Sequence, residues 1–351
     1  MDLSLIVMWI GFTLAAYSVV ANDVIQTLGT FLTSNEKRLQ WWVLWLFAAA
    51  ILSAALVYGY MHSDISYGRL DRYRTSLTTL DYKWYYALPP LVLLVITRLG
   101  VPVSTTFMIL TLFTLTDAPQ DVGITLAGIF DTNSLLGGMI FKSFSGCVLA
   151  FVLAGFIYIV FTELTEKRFI EKPVSESSQP YWITAQWLAT GFLWFQWLTQ
   201  DLANIYVFLR GGYDLSIIEF SITLFIFLSL LAFTFYTRGG AVQEVVRSKT
   251  NTADIRAATF IDLLYGIILY IFKYDSFLGF DYKLPWTGNL PMSTTWVFVG
   301  LLAGRELGMR LMLDGRFNRS TVSNVAMDFA KVMFGLVVSI VLVIIIKLLG
   351  T

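Results

Sequence analysis

Two carboxylates lie inside long apolar stretches of this sequence, and amide side chains accompany both of them. The two motifs share the order amide, carboxylate, two apolar residues, amide: Asn22, Asp23 and Gln26 form the first, and Gln200, Asp201 and Asn204 form the second. A carboxylate deep in an apolar segment costs about 2.5–3.5 kcal/mol on insertion scales, so such residues are rare and serve a function or pair with another group. The occurrence of the same motif twice indicates one task performed at two related places.

A second pair of motifs consists of a proline followed by three hydroxyl residues. They are Pro102-Val103-Ser104-Thr105-Thr106 and Pro291-Met292-Ser293-Thr294-Thr295. The proline disfavours helix in the residue before it, and serine and threonine are good N-caps for a helix that begins just after it. A helix N-terminus carries free N–H groups and a partial positive charge, so each motif predicts an anion cradle made of hydroxyls and backbone amides.

Either motif alone has a simpler explanation, because a single proline–hydroxyl cluster is usually a helix kink and a single Asn-Asp can pair with a nearby arginine. Both motifs occur twice and in the same order. Irregular backbone at membrane depth is tolerated only where it faces protein or a water-filled cavity. Paired interrupted segments at corresponding places in two halves are the best sequence indication of a transporter's substrate site.

The elements that must position these motifs are membrane helices. Hydrophobic residues make up 57% of the 351 positions, charged residues only 14%, and the mean hydropathy is +0.70. Soluble domains carry about 25% charged residues, so a large buried core does not explain the shortfall. Apolar stretches of spanning length recur from end to end, which predicts an all-α, multi-pass integral membrane protein. The stretches are Leu3–Phe31, Trp41–His62, Trp84–Leu115, Leu135–Phe161, Tyr181–Leu209, Leu215–Tyr236, Ala257–Phe272, Met292–Ala303 and Val325–Leu349.

The domain organisation follows from the polar segment near mid-chain. Residues 162–180 contain charged residues, Pro173 and a serine-rich end, so we expect a first transmembrane repeat over 1–161 and a second over 181–351. The apolar stretch at the N-terminus has no basic n-region or cleavage site, so we expect it to be the first membrane helix and not a signal peptide. Lysine and arginine do not alternate cleanly between the connecting loops, which leaves the orientation open.

Composition argues against an enzyme and against a nucleic-acid partner. The formal net charge is zero, and there is one histidine, His62, and one cysteine, Cys147. One histidine and one cysteine are too few for a zinc-binding cluster or for a Cys–His or Ser–His catalytic arrangement. We expect the ionisable residues in or beside the apolar stretches mainly to pair with other polar groups. They are Arg98, Asp131, Lys142, Glu219, Asp262, Arg305, Glu306, Asp328 and Lys331. The alternative for Arg98 or Arg305 is that the side chain contributes positive electrostatic potential to the path of an anion.

At these two pairs of motifs the sequence resembles the inorganic phosphate transporter family, sodium- or proton-coupled carriers that include sulfate permeases. The resemblance implies an inverted-repeat fold with broken or re-entrant helices in a plasma or inner membrane, and a homodimer. By position it implies anion ligands at Ser104, Thr105, Thr106, Ser293, Thr294 and Thr295. It implies coupling-ion ligands at Asn22, Asp23, Gln26, Gln200, Asp201 and Asn204, with Asp23 and Asp201 as the sodium-linked carboxylates.

The sequence departs from that family at several of these positions. Phe107 and Trp296 follow the hydroxyl clusters where the family usually has histidine, and Gln26 and Gln200 stand where asparagine is expected. We therefore expect a secondary transporter of a small inorganic oxyanion, phosphate first and sulfate or another tetrahedral anion second, with co-transported sodium or protons and no cofactor. The alternative is a transporter-like membrane protein that binds or interacts without transporting.

Overall fold

The computed structural model describes residues 3–99, 101, 103–115, 128–161, 174–238, 254–274, 276–277, 280–281, 289–314 and 319–349. Over these ranges the chain is helical apart from one two-stranded hairpin. The helices are α1 (Leu3–Val19), α2 (Ile25–Asn35), α3 (Trp41–Met61), α4 (Arg74–Thr79), α5 (Leu88–Arg98), α6 (Thr105–Leu115), α7 (Leu135–Phe161), α8 (Gln179–Asp201), α9 (Ala203–Tyr206), α10 (Ile217–Tyr236), α11 (Ile255–Lys273), α12 (Thr294–Asp314) and α13 (Arg319–Leu349). The hairpin pairs β1 (Ser276–Phe277) with β2 (Phe280–Asp281).

Among the described residues, six helical segments are long and apolar enough to cross a bilayer. They are Leu3–Val24, Trp41–Met61, Leu135–Val160, Ile217–Tyr236, Ile255–Lys273 and Thr321–Leu348. A helix rises 1.5 Å per residue, so about 20 residues cover a hydrocarbon core of about 30 Å. Large apolar side chains on outward faces are exposed, for example Phe225 at 72% and Ile218 at 70%, as expected of helices whose solvent is lipid. The predicted all-helical, multi-pass membrane fold is confirmed.

The two apolar stretches that carry the carboxylates are both interrupted helices. Between α1 and α2 the chain forms a π-helical turn, Val20–Val24, which contains Asp23. In the second case α8 ends at Asp201, and the short helix α9 leads into a 3₁₀ turn, Val207–Gly212. Gly211 adopts φ +83° in that turn, a left-handed conformation that glycine accepts without steric cost. At a π turn or a helix end, backbone groups lose their regular helical hydrogen bonds and side chains change direction. Both interruptions coincide with a carboxylate motif.

The two hydroxyl clusters form the N-termini of helices α6 and α12. The predicted stretch Trp84–Leu115 is divided into a 3₁₀ turn (Trp84–Ala87), α5 and α6, and the chain between α5 and α6 makes the first tip. At both tips serine is the N-cap. The backbone N–H of Phe107 donates to Ser104 Oγ at 3.2 Å, and that of Trp296 donates to Ser293 Oγ at 3.2 Å. We call residues 103–106 the first tip and residues 292–295 the second tip.

Helices α7 and α12 pack against each other along a line of glycines. A Cβ added at Gly300 would lie 2.3 Å from the carbonyl oxygen of Cys147, and one at Gly304 would lie 2.1 Å from that of Phe151. The glycines are spaced by four residues, so they share one helix face and let the two backbones approach closely, as small residues do in membrane helices. This packing fixes α12, and therefore the second tip, against α7.

Most of the predicted linker 162–180 lies outside the described residues, which resume at 174. The division into two repeats stays a prediction.

Close packing at Gly304 provides a test of this arrangement. Gly304→Ala should lower the melting temperature of the purified protein, because the clash with the Phe151 carbonyl costs about 1–3 kcal/mol and outweighs a helix-propensity gain of up to about 1 kcal/mol. Gly155→Ala, in the same interface, is the control, since its Cβ would come no closer than 3.7 Å to Gly304. Equal melting temperatures for the two variants, measured by tryptophan fluorescence in detergent, would contradict the close approach.

Candidate functional site

The two tips and the two carboxylates meet in the interior of the helix bundle. Asp23 and Asp201 have no exposed surface, and all six hydroxyl residues of the tips are 1% exposed. Residues far apart in the chain are thus gathered into one buried polar cluster, surrounded by the hydrophobic core.

Within each half, a threonine of the tip interacts with the carboxylate of the same half. The Thr105 hydroxyl donates to Asp23 Oδ2 at 2.6 Å, and the Thr294 hydroxyl interacts with Asp201. A hydroxyl bonded to an ionised carboxylate makes a short, charge-assisted hydrogen bond.

Between the halves, the next threonine of each tip reaches across to the other half. Thr106 Oγ1 lies 3.4 Å from Asp201 Oδ1 and 3.2 Å from the carbonyl oxygen of Met292. Thr295 Oγ1 donates to the carbonyl oxygen of Val103 at 3.4 Å and also interacts with Asp23. Each carboxylate therefore interacts with one hydroxyl from each tip.

The predicted amide ligands divide into two groups. Asn22 Nδ2 donates to Asp23 Oδ1 at 2.7 Å and to the carbonyl oxygen of Val103 at 2.8 Å. Asn204 Nδ2 donates to Asp201 Oδ1 at 2.6 Å and lies 3.3 Å and 3.2 Å from the hydroxyls of Thr105 and Thr106.

The two glutamines lie differently. Gln200 Nε2 donates to the carbonyl oxygen of Leu269 on α11 at 3.1 Å, so this amide is directed to a neighbouring helix. Gln26 is 4% exposed, and its Nε2 has no hydrogen-bond partner among the described residues. The structure brings the two asparagines, but not the amide nitrogens of the two glutamines, into hydrogen-bond contact with the carboxylates.

Several buried oxygens around the carboxylates accept no hydrogen bond from the described part of the chain. They are Asn22 Oδ1, Asn204 Oδ1 and Asp201 Oδ2. A buried polar atom without a partner costs about 1–3 kcal/mol, so a group of three needs an explanation. Hard cations bind through carboxylate and amide oxygens, and the two buried carboxylates also repel each other. The donor set therefore fits a cation such as sodium at Asp23 and Asp201.

Two aromatic rings pack together behind the tips, at the positions where the resembled family has histidine. The rings of Phe107 and Trp296 lie 5.4 Å apart between centroids at 64°, an edge-to-face contact between α6 and α12. Such pairs contribute about 0.5–1.5 kcal/mol beyond burial of area. Apolar packing thus replaces the polar, titratable side chain that histidine would bring to these positions.

Several further side chains bind backbone groups of the second tip and of the residues just before it. Tyr265 donates its hydroxyl to the carbonyl oxygen of Thr294 at 3.0 Å, and Ser143 Oγ accepts the N–H of Ser293 at 2.8 Å. Arg69 Nη1 and Lys142 Nζ both donate to the carbonyl oxygen of Leu290, at 2.7 Å each. Lys142 was recognisable as an intramembrane charge, whereas Arg69 follows an apolar helix in an ordinary polar loop and nothing in the sequence marks it.

Other buried ionisable residues find varied partners. Asp262 on α11 accepts hydrogen bonds from the hydroxyls of Thr30 and Thr190, at 2.5 Å each. Arg305 lies over the ring of Tyr158, 5.3 Å from its centroid. Glu219 completes a capping box at the start of α10. The pairing expected of these residues is thus made largely with hydroxyls, rings and backbone groups.

The described helices and their interruptions place the chain among multi-pass helical membrane proteins. The fold matches a solved structure described as "The sodium-dependent phosphate transporter", with a TM-score of 0.56, 16% sequence identity, and coverage of 99% of both chains. At this level of identity the likeness concerns the fold alone. No protein-family model matches the sequence, and no curated protein matches it.

Proposed function

We propose that this protein is a secondary transporter that carries a small inorganic oxyanion, phosphate in the first instance, together with sodium. The observation that carries the proposal is the pair of helix N-termini whose threonines bind both buried carboxylates. The solved structure with the same fold is described as a sodium-dependent phosphate transporter, which agrees with this choice of anion and cation.

The anion would be bound by the tips. The first N–H groups of an α-helix have no acceptor within the helix, so α6 and α12 each offer backbone donors beside their threonine hydroxyls. Two such ends directed at one place supply hydrogen-bond donors and two partial positive charges, which suits a tetrahedral oxyanion. Ser104 and Ser293, which cap the helices through their oxygens, keep their hydroxyl protons for the same anion.

The cations would be bound by the carboxylates. An anion brought beside two buried carboxylates is repelled unless positive charge accompanies it. Asn22 Oδ1, Asn204 Oδ1 and Asp201 Oδ2 are acceptors in need of a partner, and a sodium ion coordinated by them satisfies several at once. Protons on the carboxylates are the other candidate, but each proton is donated to a single acceptor, whereas one sodium ion is coordinated by several oxygens, so we favour sodium.

Thr105 and Thr294 are placed to contact both the carboxylates and the anion, and this explains how cation binding and anion binding are coupled. The hydroxyls of Thr105 and Thr294 have one proton each; that of Thr105 is donated to Asp23, and the Thr294 hydroxyl interacts with Asp201. A cation on the carboxylate oxygens repels those protons and frees the hydroxyls to donate to the anion instead. Anion binding is therefore strong only after the cation has bound, which is the condition for symport.

Transport would follow from movement of the two repeats relative to each other around this site, with no covalent chemistry. The repeats are those predicted from the sequence, 1–161 and 181–351. The homodimer implied by the family resemblance stays a prediction.

Uptake of labelled anion into proteoliposomes tests the proposal directly. An inward sodium gradient should drive ³²P-phosphate accumulation above the level reached with a potassium gradient of the same size. Accumulation of ³⁵S-sulfate instead would reassign the anion, and accumulation under a proton gradient alone would reassign the cation. If neither anion moves under either gradient, the alternative of a non-transporting binding protein replaces this proposal.

Neutralising the carboxylates should abolish coupling. Asp23→Asn and Asp201→Asn are each expected to reduce sodium-driven uptake at least about tenfold, because a buried carboxylate supplies the charge that holds the cation. Glu219→Gln is the control, since glutamine preserves the capping box at the start of α10 away from the site. Sodium-driven rates in both aspartate variants equal to that of Glu219→Gln would refute the assignment.

Removing a tip hydroxyl should weaken anion binding. Thr105→Ala and Thr294→Ala are each expected to raise the half-saturation concentration for phosphate roughly 10- to 100-fold, because a hydrogen bond to a charged group contributes about 1.5–3 kcal/mol. Thr111→Ala is the matched control, a buried threonine further along α6 whose hydroxyl has no described partner. An unchanged half-saturation concentration in the two tip variants would remove the threonines from the anion site.

A further inference from the structure

A cavity opens on the surface of the helix bundle between α7, α12 and α13. Its volume is about 370 Å³, and its wall is formed by apolar atoms alone. At its mouth, Phe144 and Val148 on α7 and Met333 on α13 are 57%, 44% and 48% exposed. On its inner side, Trp296 and Val299 of α12 are only 4% and 8% exposed. The cavity therefore leads from the surface of the protein into its interior.

The cavity lies near the middle of two membrane-spanning helices. The spanning segment of α7 is Leu135–Val160, and the α7 residues that line the cavity, within 144–151, are centred on its midpoint. The lining residues of α13, within 329–333, also lie well inside its spanning segment, Thr321–Leu348. Roughly half of a hydrocarbon core of about 30 Å therefore separates the cavity from the headgroups of either leaflet.

The depth and the wall of the cavity together decide what can occupy it. Water needs polar partners, and the wall offers none. A peptide segment would bring backbone N–H and C=O groups that this wall leaves without hydrogen bonds. The ends of lipid acyl chains are wholly apolar and are present at this depth. The volume is also within the range of about 300–1,000 Å³ that is usual for ligand pockets.

We propose that the cavity is a binding site for the end of one lipid acyl chain, which enters from the bilayer between α7 and α13 and ends against Trp296. The chain fills the space with dispersion contacts and brings no polar group that needs a partner. Its methylene groups are recognised by shape and apolarity, so the lipid headgroup stays outside the site.

The bound chain lies beside both tips. Trp296 directly follows the second tip, and its ring packs edge-to-face on Phe107, which directly follows the first tip. On α13, a Cβ added at Gly335 would lie 2.9 Å from the side chain of Val103, so this helix lies against the first tip two residues beyond Met333. The chain therefore contacts a ring of the second tip's helix and the helix that covers the first tip. An effect of the chain on uptake rests on the proposed function, whereas its binding does not.

Photo-crosslinking of the full-length protein in phosphatidylcholine vesicles tests the inference. The probe is a phosphatidylcholine with a diazirine on the last carbon of one acyl chain, and mass spectrometry locates the adducts. Adducts on Trp296 or Val299 are expected, because a chain that stays on the surface does not reach these buried residues. A probe with its diazirine beside the ester carbonyl should label neither. Labelling of the exposed Phe144 without Trp296 or Val299 would overturn the site.

A large ring at the mouth should prevent the chain from entering. Val148→Trp places such a ring on α7, and Val152→Trp, one turn further along, is the matched control at an exposed position outside the cavity. Met333→Trp and its control Val337→Trp repeat the test on α13. Each mouth variant should lose the adducts on the two α12 residues, and each control should keep them. Equal labelling of these residues in a mouth variant and its control would contradict binding inside the cavity.

The same probe detects a different occupant. If a second copy of the chain covers the mouth, the probe labels exposed residues elsewhere, such as Phe225, but neither Phe144 nor Trp296, and the acyl-chain site is overturned. Labelling does not depend on transport, so its failure leaves the proposed function standing. Failure of uptake with labelled Trp296 would overturn the proposed function and retain the acyl-chain site.

Discussion

The rest of the structure depends on the interactions between four threonine hydroxyls and two buried carboxylates. Each carboxylate lies inside the bundle with no exposed surface, where an isolated charge is costly. Thr105 donates a hydrogen bond to Asp23 and Thr106 donates one to Asp201, while Thr295 interacts with Asp23 and Thr294 with Asp201, so each carboxylate is contacted from both tips. This requirement determines where the helices must break, because only helix ends and interrupted turns can bring hydroxyls, carboxylates and free backbone groups to one place.

The surrounding packing is organised to keep those ends fixed. The glycine face of α12 lies directly on the backbone of α7, so α12 has little freedom to slide and its N-terminal tip stays opposite the first tip. The rings of Phe107 and Trp296 join the two tip helices behind the polar cluster. The polar site has three buried acceptor oxygens that accept no hydrogen bond from the described residues, and close apolar packing holds it in place. This combination favours preorganised binding over a collapsed core.

The two tips and their carboxylates differ in the charged and amide side chains around them. One asparagine contacts the carboxylate in each half, but Asn22 precedes Asp23 in the chain while Asn204 follows Asp201. Arg69 and Lys142 act at the second tip, and the corresponding carbonyl at the first tip has neutral donors.

The sequence by itself determined the membrane fold, the helix interruptions and the two pairs of motifs. Apolar stretches of spanning length, a proline before three hydroxyls and a carboxylate between amides are local signals, and each follows from the chemistry of neighbouring residues. Only the tertiary structure decided which threonine binds which carboxylate, that Gln200 is directed to Leu269, and that Arg69 and Lys142 share the carbonyl of Leu290. These contacts join residues separated by tens to hundreds of positions. They cannot be predicted from the sequence because helix packing, and not local propensity, sets the distance between these residues.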